Sequence, residues 1–132
     1  MWNIARPSFG FVLTFEGSIE AAEMAQWVAA ARRELSTPLP PGWGVVVDMR
    51  ELLPLRQDAQ AKLIEGQKLF KQQGMTRSAV ALKDAVTTMQ FRRLARASGI
   101  DAWERYIDTS ALSQWQTAAK QWVVSGIEPG GR

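Results

Sequence analysis

Cysteine and histidine are both absent from this chain. Without cysteine there is no disulfide, no thiolate metal site and no cysteine nucleophile. Without histidine the Ser-His-Asp constellation, most zinc sites and the commonest general base are excluded. Any catalysis would rest on Asp, Glu, Lys or the single tyrosine. No apolar run approaches the ~20 residues that a membrane-spanning helix needs, so no membrane span is expected. The opening MWNIARPSFG has no charged segment followed by an apolar one. No signal peptide is expected from it, and the expected location is cytoplasmic. Glycine-rich phosphate loops are missing too: GWG and PGG lack the following helix or lysine, and no GxSxG elbow occurs.

What remains is a chain of 132 residues, 46% apolar, the size and balance of one globular domain with a real core. Six tryptophans are spread along it. The net charge of +3 is unevenly distributed. Residues 1–66 carry six basic and eight acidic side chains, and residues 67–132 carry ten and five. Within 67–100, Lys68, Lys71, Arg77, Lys83, Arg92, Arg93 and Arg96 face Asp84 alone. Such a bias suits an anionic small ligand or an acidic partner, and equally a solvated face of two helices.

The apolar periodicity predicts an alternating series of elements. A short strand at 2–5 and a strand at 9–15, FGFVLTF, come first, with Pro7 between them. A helix follows, capped by Ser18, with Met24, Trp27, Val28, Ala31 and Leu35 on one side. STPLPPG ends it. GVVVDM, 44–49, reads as a strand buried on both faces, as in a parallel sheet. ELLPLRQDA reads as a loop, and a helix is expected over 57–73. Gly66 falls on its apolar side and is expected to permit close approach to the sheet. RSAVALK is the next strand, then a helix over 85–98 capped by Asp84, a strand at 102–108 and a helix over 110–124. In that last helix Leu112, Trp115, Ala119 and Trp122 make an apolar stripe. In the helix over 85–98, Val86, Met89, Gln90, Phe91, Leu94 and Ala97 fill one arc. Arg93 lies inside that arc, and Arg92 and Arg96 lie outside it. Residues 125–132 are expected to form a mobile tail. The pattern is α/β: a single domain over 1–124 with a mostly parallel sheet of four to five strands and right-handed crossovers.

Glu16, Asp48, Asp84 and Asp108 each fall at or just past the end of a predicted strand. That edge is where open α/β sheets bind ligands. A magnesium-dependent, phosphate-accepting pocket of the response-regulator receiver kind is not expected here. It needs an acidic pair after the first strand, where Glu16 is followed by Gly17 and Ser18. It also needs a lysine after the last strand, and RYIDTS has none. Carboxylates beside helix N-termini accept backbone N–H bonds, and this is the expected role of Asp84 and Asp108. Asp48 is expected to be structural or a surface binding residue.

Taken in order, FVLTFEG before a helix, GVVVDMREL, GMTRSAVAL and ERYID before a helix bearing two tryptophans resemble the STAS-like superfamily. These are the sulphate-transporter and anti-sigma-factor-antagonist domains, and the resemblance is to their stand-alone bacterial branch over residues 2–123. It implies a βα superhelix with helices mainly on one face. It also implies a non-catalytic protein-interaction module that works with a protein partner or as a homodimer. The phosphorylated serine of such domains lies just after the strand-end acid, here in Asp48-Met49-Arg50-Glu51-Leu52. No Ser or Thr occurs between Gly44 and Gly74, so the phosphorylation switch is not expected. The alternative is a domain that binds a small ligand or a lipid headgroup, anionic in kind. Asp48, Arg50, Arg92, Arg93 and Arg96 are the candidate binding residues. No catalytic residue, metal ligand, cofactor or nucleic-acid partner is expected.

Overall fold

The computed structural model describes residues 1–130, with Ser98 described by its backbone alone. Of the tail expected at 125–132, Gly131 and Arg132 lie outside the described residues. The elements run β1 (Trp2–Ala5), β2 (Gly10–Gly17), α1 (Ala21–Leu35), β3 (Gly44–Leu52), α2 (Gln57–Gln72), β4 (Ser78–Leu82), α3 (Ala85–Ser98), β5 (Glu104–Asp108) and α4 (Trp115–Ser125). The five strands form one sheet in the order β1-β2-β3-β4-β5. β1 is antiparallel to β2, and β2 through β5 are mutually parallel.

Alternation along the strands sorts the core into two layers. Phe11, Leu13 and Phe15 of β2, Val45, Val47 and Met49 of β3, and Val80 and Leu82 of β4 face α1, α2 and α3. Val46, Ala79, Ala81 and Ile107 face the other way, against Trp115, Ala119, Trp122 and Val123 of α4. Three helices therefore cover one face, and α4 alone covers the other. β2 and β3 meet closely where Gly10 pairs with Gly44. A Cβ on Gly10 would lie 2.1 Å from the Gly44 carbonyl oxygen, and the φ of +142° there also suits only glycine.

Several boundaries differ from the expected ones. α1 begins at Ala21 with Glu20 as its cap, and Ser18 makes no cap bond. The cause is Ile19, which is 4% exposed: the chain dips into the core before it coils. β3 continues past Met49 to Leu52, because Glu51 and Leu52 stay paired to Glu16 and Gly17 across a register shift. Ladder pairing there outweighs the polar side chains, and Pro54 comes only after it. α4 begins at Trp115 rather than near Ser110. Asp108 accepts the Ser110 backbone N–H at 2.9 Å, and the Thr109 hydroxyl donates to the Leu82 carbonyl at 2.9 Å, so a turn delays the helix. Gly66 faces inward as read, but it admits the Trp27 ring of α1 and not the sheet. Beyond α4, Glu128 is held by Arg105, with Nε to Oε1 at 2.8 Å and Nη2 to Oε2 at 3.0 Å.

Candidate functional site

α1 and α2 pack side by side, while α3 rests on β5. The space between α2 and α3 is left over the sheet as a cavity of about 620 Å³. Its size falls within the roughly 300–1,000 Å³ of small-molecule sites. Leu13, Phe15, Val45, Val47 and Met49 form the floor, Trp27 and Phe70 one wall, and Trp103 and Ile100 one end. The mouth is rimmed by Ile64, Gln67, Lys68 and Lys71 from α2 and by Leu94 from α3. Ile64 and Leu94 are 49% and 68% exposed, so apolar carbon borders the opening on both sides.

Polar groups inside the cavity are few. Ser78, the first residue of β4, and Glu104, the first of β5, are paired across the parallel strands and both line it. Ser78 is 3% exposed, and its Oγ has no hydrogen-bond partner. Glu104 is half-buried and held in protein on most sides. Burial pushes its carboxyl up to about 7, with Ser78 and Tyr106 nearby acting in the opposite direction. The same burial, with Glu104 beside it, pushes the Tyr106 phenol well above its usual range. Trp27 Nε1, in the wall, is also buried without a partner. Lys71 is held at the rim by donating to the Met75 carbonyl at 3.3 Å and by lying 4.4 Å from the centroid of the Trp103 ring.

The expected site residues separate into three places. Asp48 and Arg50 meet on the opposite face of the sheet, beside α4. Arg50 Nε donates to Asp48 Oδ1 and Nη2 to Oδ2, both at 2.9 Å, and the Arg50 backbone N–H reaches Oδ1 at 3.1 Å. The guanidinium lies 4.6 Å from the Trp115 ring centroid. Asp48 thus spends both oxygens on Arg50, and its carboxylate in turn holds the guanidinium pKa above its usual value. Arg92 and Arg96 line a second, smaller cleft of about 220 Å³ with Asp101, Glu104, Arg105 and Tyr106. Glu104 borders both hollows. Arg92 is fixed there by donating to the Tyr106 carbonyl at 3.0 Å.

Arg93 belongs to neither hollow, because α3 is turned away from the expected arc. Thr88 and Ala95 are its buried positions, with Phe91 half-buried 5.6 Å from the Tyr106 ring. Val86 and Met89 are 67% and 57% exposed. Arg93 points outward with them, with no hydrogen bond or ion pair among the described residues. The basic stretch 67–100 consequently makes no single patch. Lys68 and Lys71 rim the cavity, Arg92 and Arg96 line the cleft, and Arg77 reaches under α4 to the Val123 and Val124 carbonyls.

Sequence reasoning passed over Ser78, Glu104 and Trp103. One signal was present: Ser78 and Glu104 are the polar residues that open two largely apolar strands, at the same register in a parallel sheet. Among the described residues no cluster of three or more carboxylates is placed to hold a metal ion. Also among these residues, no helix is long and apolar enough to cross a membrane. No protein-family model matches the chain, and no curated protein matches it either.

Proposed function

We propose that this protein is a non-catalytic binding domain whose ligand is a small, largely apolar molecule held in the cavity between α2 and α3. The carrying observation is the cavity itself: about 620 Å³ walled by core side chains, with an apolar rim. Burying hydrocarbon there would remove apolar surface from water at about 25 cal/mol per Å². Catalysis is not favoured by the groups inside. The chain has no histidine or cysteine to complete a nucleophile and base pair with Ser78. The test is native mass spectrometry of freshly purified protein, alongside Val47→Phe. Val47 lines the floor at 7% exposure, so a phenyl ring there projects into the hollow. A co-purifying mass in the wild type and its loss in the variant are expected. Absence of any bound mass, together with no uptake of an apolar fluorophore, overturns the reading.

The protein-interaction module implied by the STAS-like resemblance is the second reading. It is favoured by Val86 and Met89, exposed together one turn apart on α3 beside Arg93. Under that reading Met89→Asp abolishes capture of a specific protein partner or a homodimer and leaves the melting temperature unchanged.

A further inference from the structure

Buried polar atoms in folded proteins are almost always hydrogen-bonded, and an orphaned one asks for a missing partner. Here Ser78 Oγ is such an orphan, on a residue that is 3% exposed and lines the cavity. Glu104 is its cross-strand neighbour on the same face, and the Ser78 hydroxyl stands near enough to act on that carboxyl without completing a bond to it. We propose that the ligand carries one uncharged hydroxyl group, seated between Ser78 and Glu104, with an apolar body filling the rest of the cavity toward Phe15, Trp27 and Met49.

Complementarity argues for a hydroxyl over other polar groups. A protonated carboxyl donates one hydrogen bond, and a serine hydroxyl can both donate and accept. An alcohol or phenol oxygen accepts from the Glu104 carboxyl while its O–H donates to Ser78 Oγ. An anionic carboxylate brings no proton for Ser78 Oγ, and burying its charge without a counter-ion beside it is costly. An ammonium would need Glu104 ionised at a site whose burial favours the neutral acid. The ionisable groups that share a hollow with Glu104 are Lys68 and Lys71 of α2, Arg92 and Arg96 of α3, Asp101 of the turn before β5, and Arg105 and Tyr106 of β5. Among the described residues none of them forms an ion pair with Glu104, and the Tyr106 phenol, which hydrogen-bonds the carboxyl, takes up only part of its capacity.

The inference rests on the cavity reading, and the experiment separates the two. Displacement of N-phenyl-1-naphthylamine from the full chain is titrated with 1-decanol, decylamine and decanoic acid between about pH 6 and 9. If the fluorophore does not bind, or binds equally to Val47→Phe, the cavity reading fails and this inference with it. If it binds and is blocked by Val47→Phe, the cavity stands and the three probes decide. The hydroxyl inference expects decanol to be tightest. Its affinity should fall roughly tenfold per pH unit once Glu104 is ionised, because only the protonated acid donates. Glu104→Gln keeps a donor and should bind decanol with no pH dependence, and Ser78→Ala should weaken it several-fold at every pH. Decylamine binding that is tightest and strengthens with pH overturns the proposal in favour of a cationic ligand. Decanoic acid as the tightest probe, or equal affinity for all three, overturns it as well.

Discussion

At the scale of single residues, Glu104 gives the protein a pH dependence of unusual sign. Its carboxyl is raised from 4.5 to about 7 by burial. Between those values the folded state holds more protons than the unfolded state, so stability falls as pH rises through that window and levels off above it. A shift of this size corresponds to on the order of 3 kcal/mol. Asp84 and Glu128 act in the opposite sense, being lowered by hydrogen bonds from Thr87 and Arg105, and their contribution is lost in acid. Glu104→Gln isolates the first effect. In urea titrations the variant should match the wild type near about pH 5 and exceed it near about pH 8. Gly66 offers a second test. Alanine in a helix ordinarily gains about 1 kcal/mol over glycine. A Cβ here, however, would lie 2.0 Å from Trp27 Cζ3, in a ring that is 0% exposed and wedged between Phe15 and Phe70. Gly66→Ala should therefore lower stability by about 1–3 kcal/mol, the usual cost of overpacking. A higher midpoint would mean that the ring can move. The sequence placed Gly66 on the inner side correctly, because periodicity reports a direction. It could not name Trp27 as the neighbour, because contacts between two helices are not written in the spacing of either one. Arg92 and Arg93 show the same limit. Both sit on the same helix turn, and a rotation set by Thr88, Phe91 and Ala95 gave the partner to Arg92.

At the scale of elements, α4 carries one whole face of the sheet. The stripe of Trp115, Ala119 and Trp122 is buried as its seven-residue spacing implies, at 9%, 1% and 6% exposure. The two tryptophans are nonetheless unequal. Trp122 Nε1 donates to the Ser78 carbonyl at 2.9 Å, and the Arg105 guanidinium lies 4.1 Å from its ring centroid. Over Trp115 lies the Arg50 guanidinium. Trp122→Phe loses a buried hydrogen bond, which costs about 0.5–1.5 kcal/mol. Trp115→Phe keeps an aromatic surface and should cost less than half of that, a ranking that thermal melts of the two variants would check. Arg77 adds to the same element. Its guanidinium donates to the Val123 and Val124 carbonyls at 3.3 and 3.2 Å, at the negative end of the α4 dipole. Element type and order were fully legible, since strands and helices differ in period and the prolines and glycines fall between them. Element ends were less so. Asp108 and Ile19 changed where α4 and α1 begin, one through a turn hydrogen bond and one through burial, and neither effect follows from local propensity.

At the scale of the whole molecule, the parallel strands lie in sequence order with α1, α2 and α3 on one side. A mostly parallel α/β sheet was readable from the β-branched run of β3 and the alternation of strands with helices, whereas helices mainly on one face were implied only by the STAS-like resemblance. The cavity was not readable. Apolar spacing says that Phe15, Val47, Leu63 and Trp103 avoid water; it is silent on whether they touch one another or stand around a gap. The gap arises because α2 leans on α1 while α3 leans on β5, a matter of how elements share the sheet. Its consequence is a stability that depends on what fills it. A ligand that binds only the folded state stabilises by RT ln(1 + [L]/Kd), about 2.7 kcal/mol at a hundredfold excess over Kd. For a chain of this size that is roughly 10 °C in melting temperature. Protein unfolded in guanidinium, washed and refolded should therefore melt lower than protein freshly purified, and 1-decanol should restore part of the difference in proportion to the logarithm of its concentration. Val47→Phe fills the space with its own side chain, so its melting temperature should be the same before and after refolding and indifferent to decanol. Identical melts for fresh and refolded wild type, both unmoved by decanol, would leave the hollow as a dry packing defect between α2 and α3.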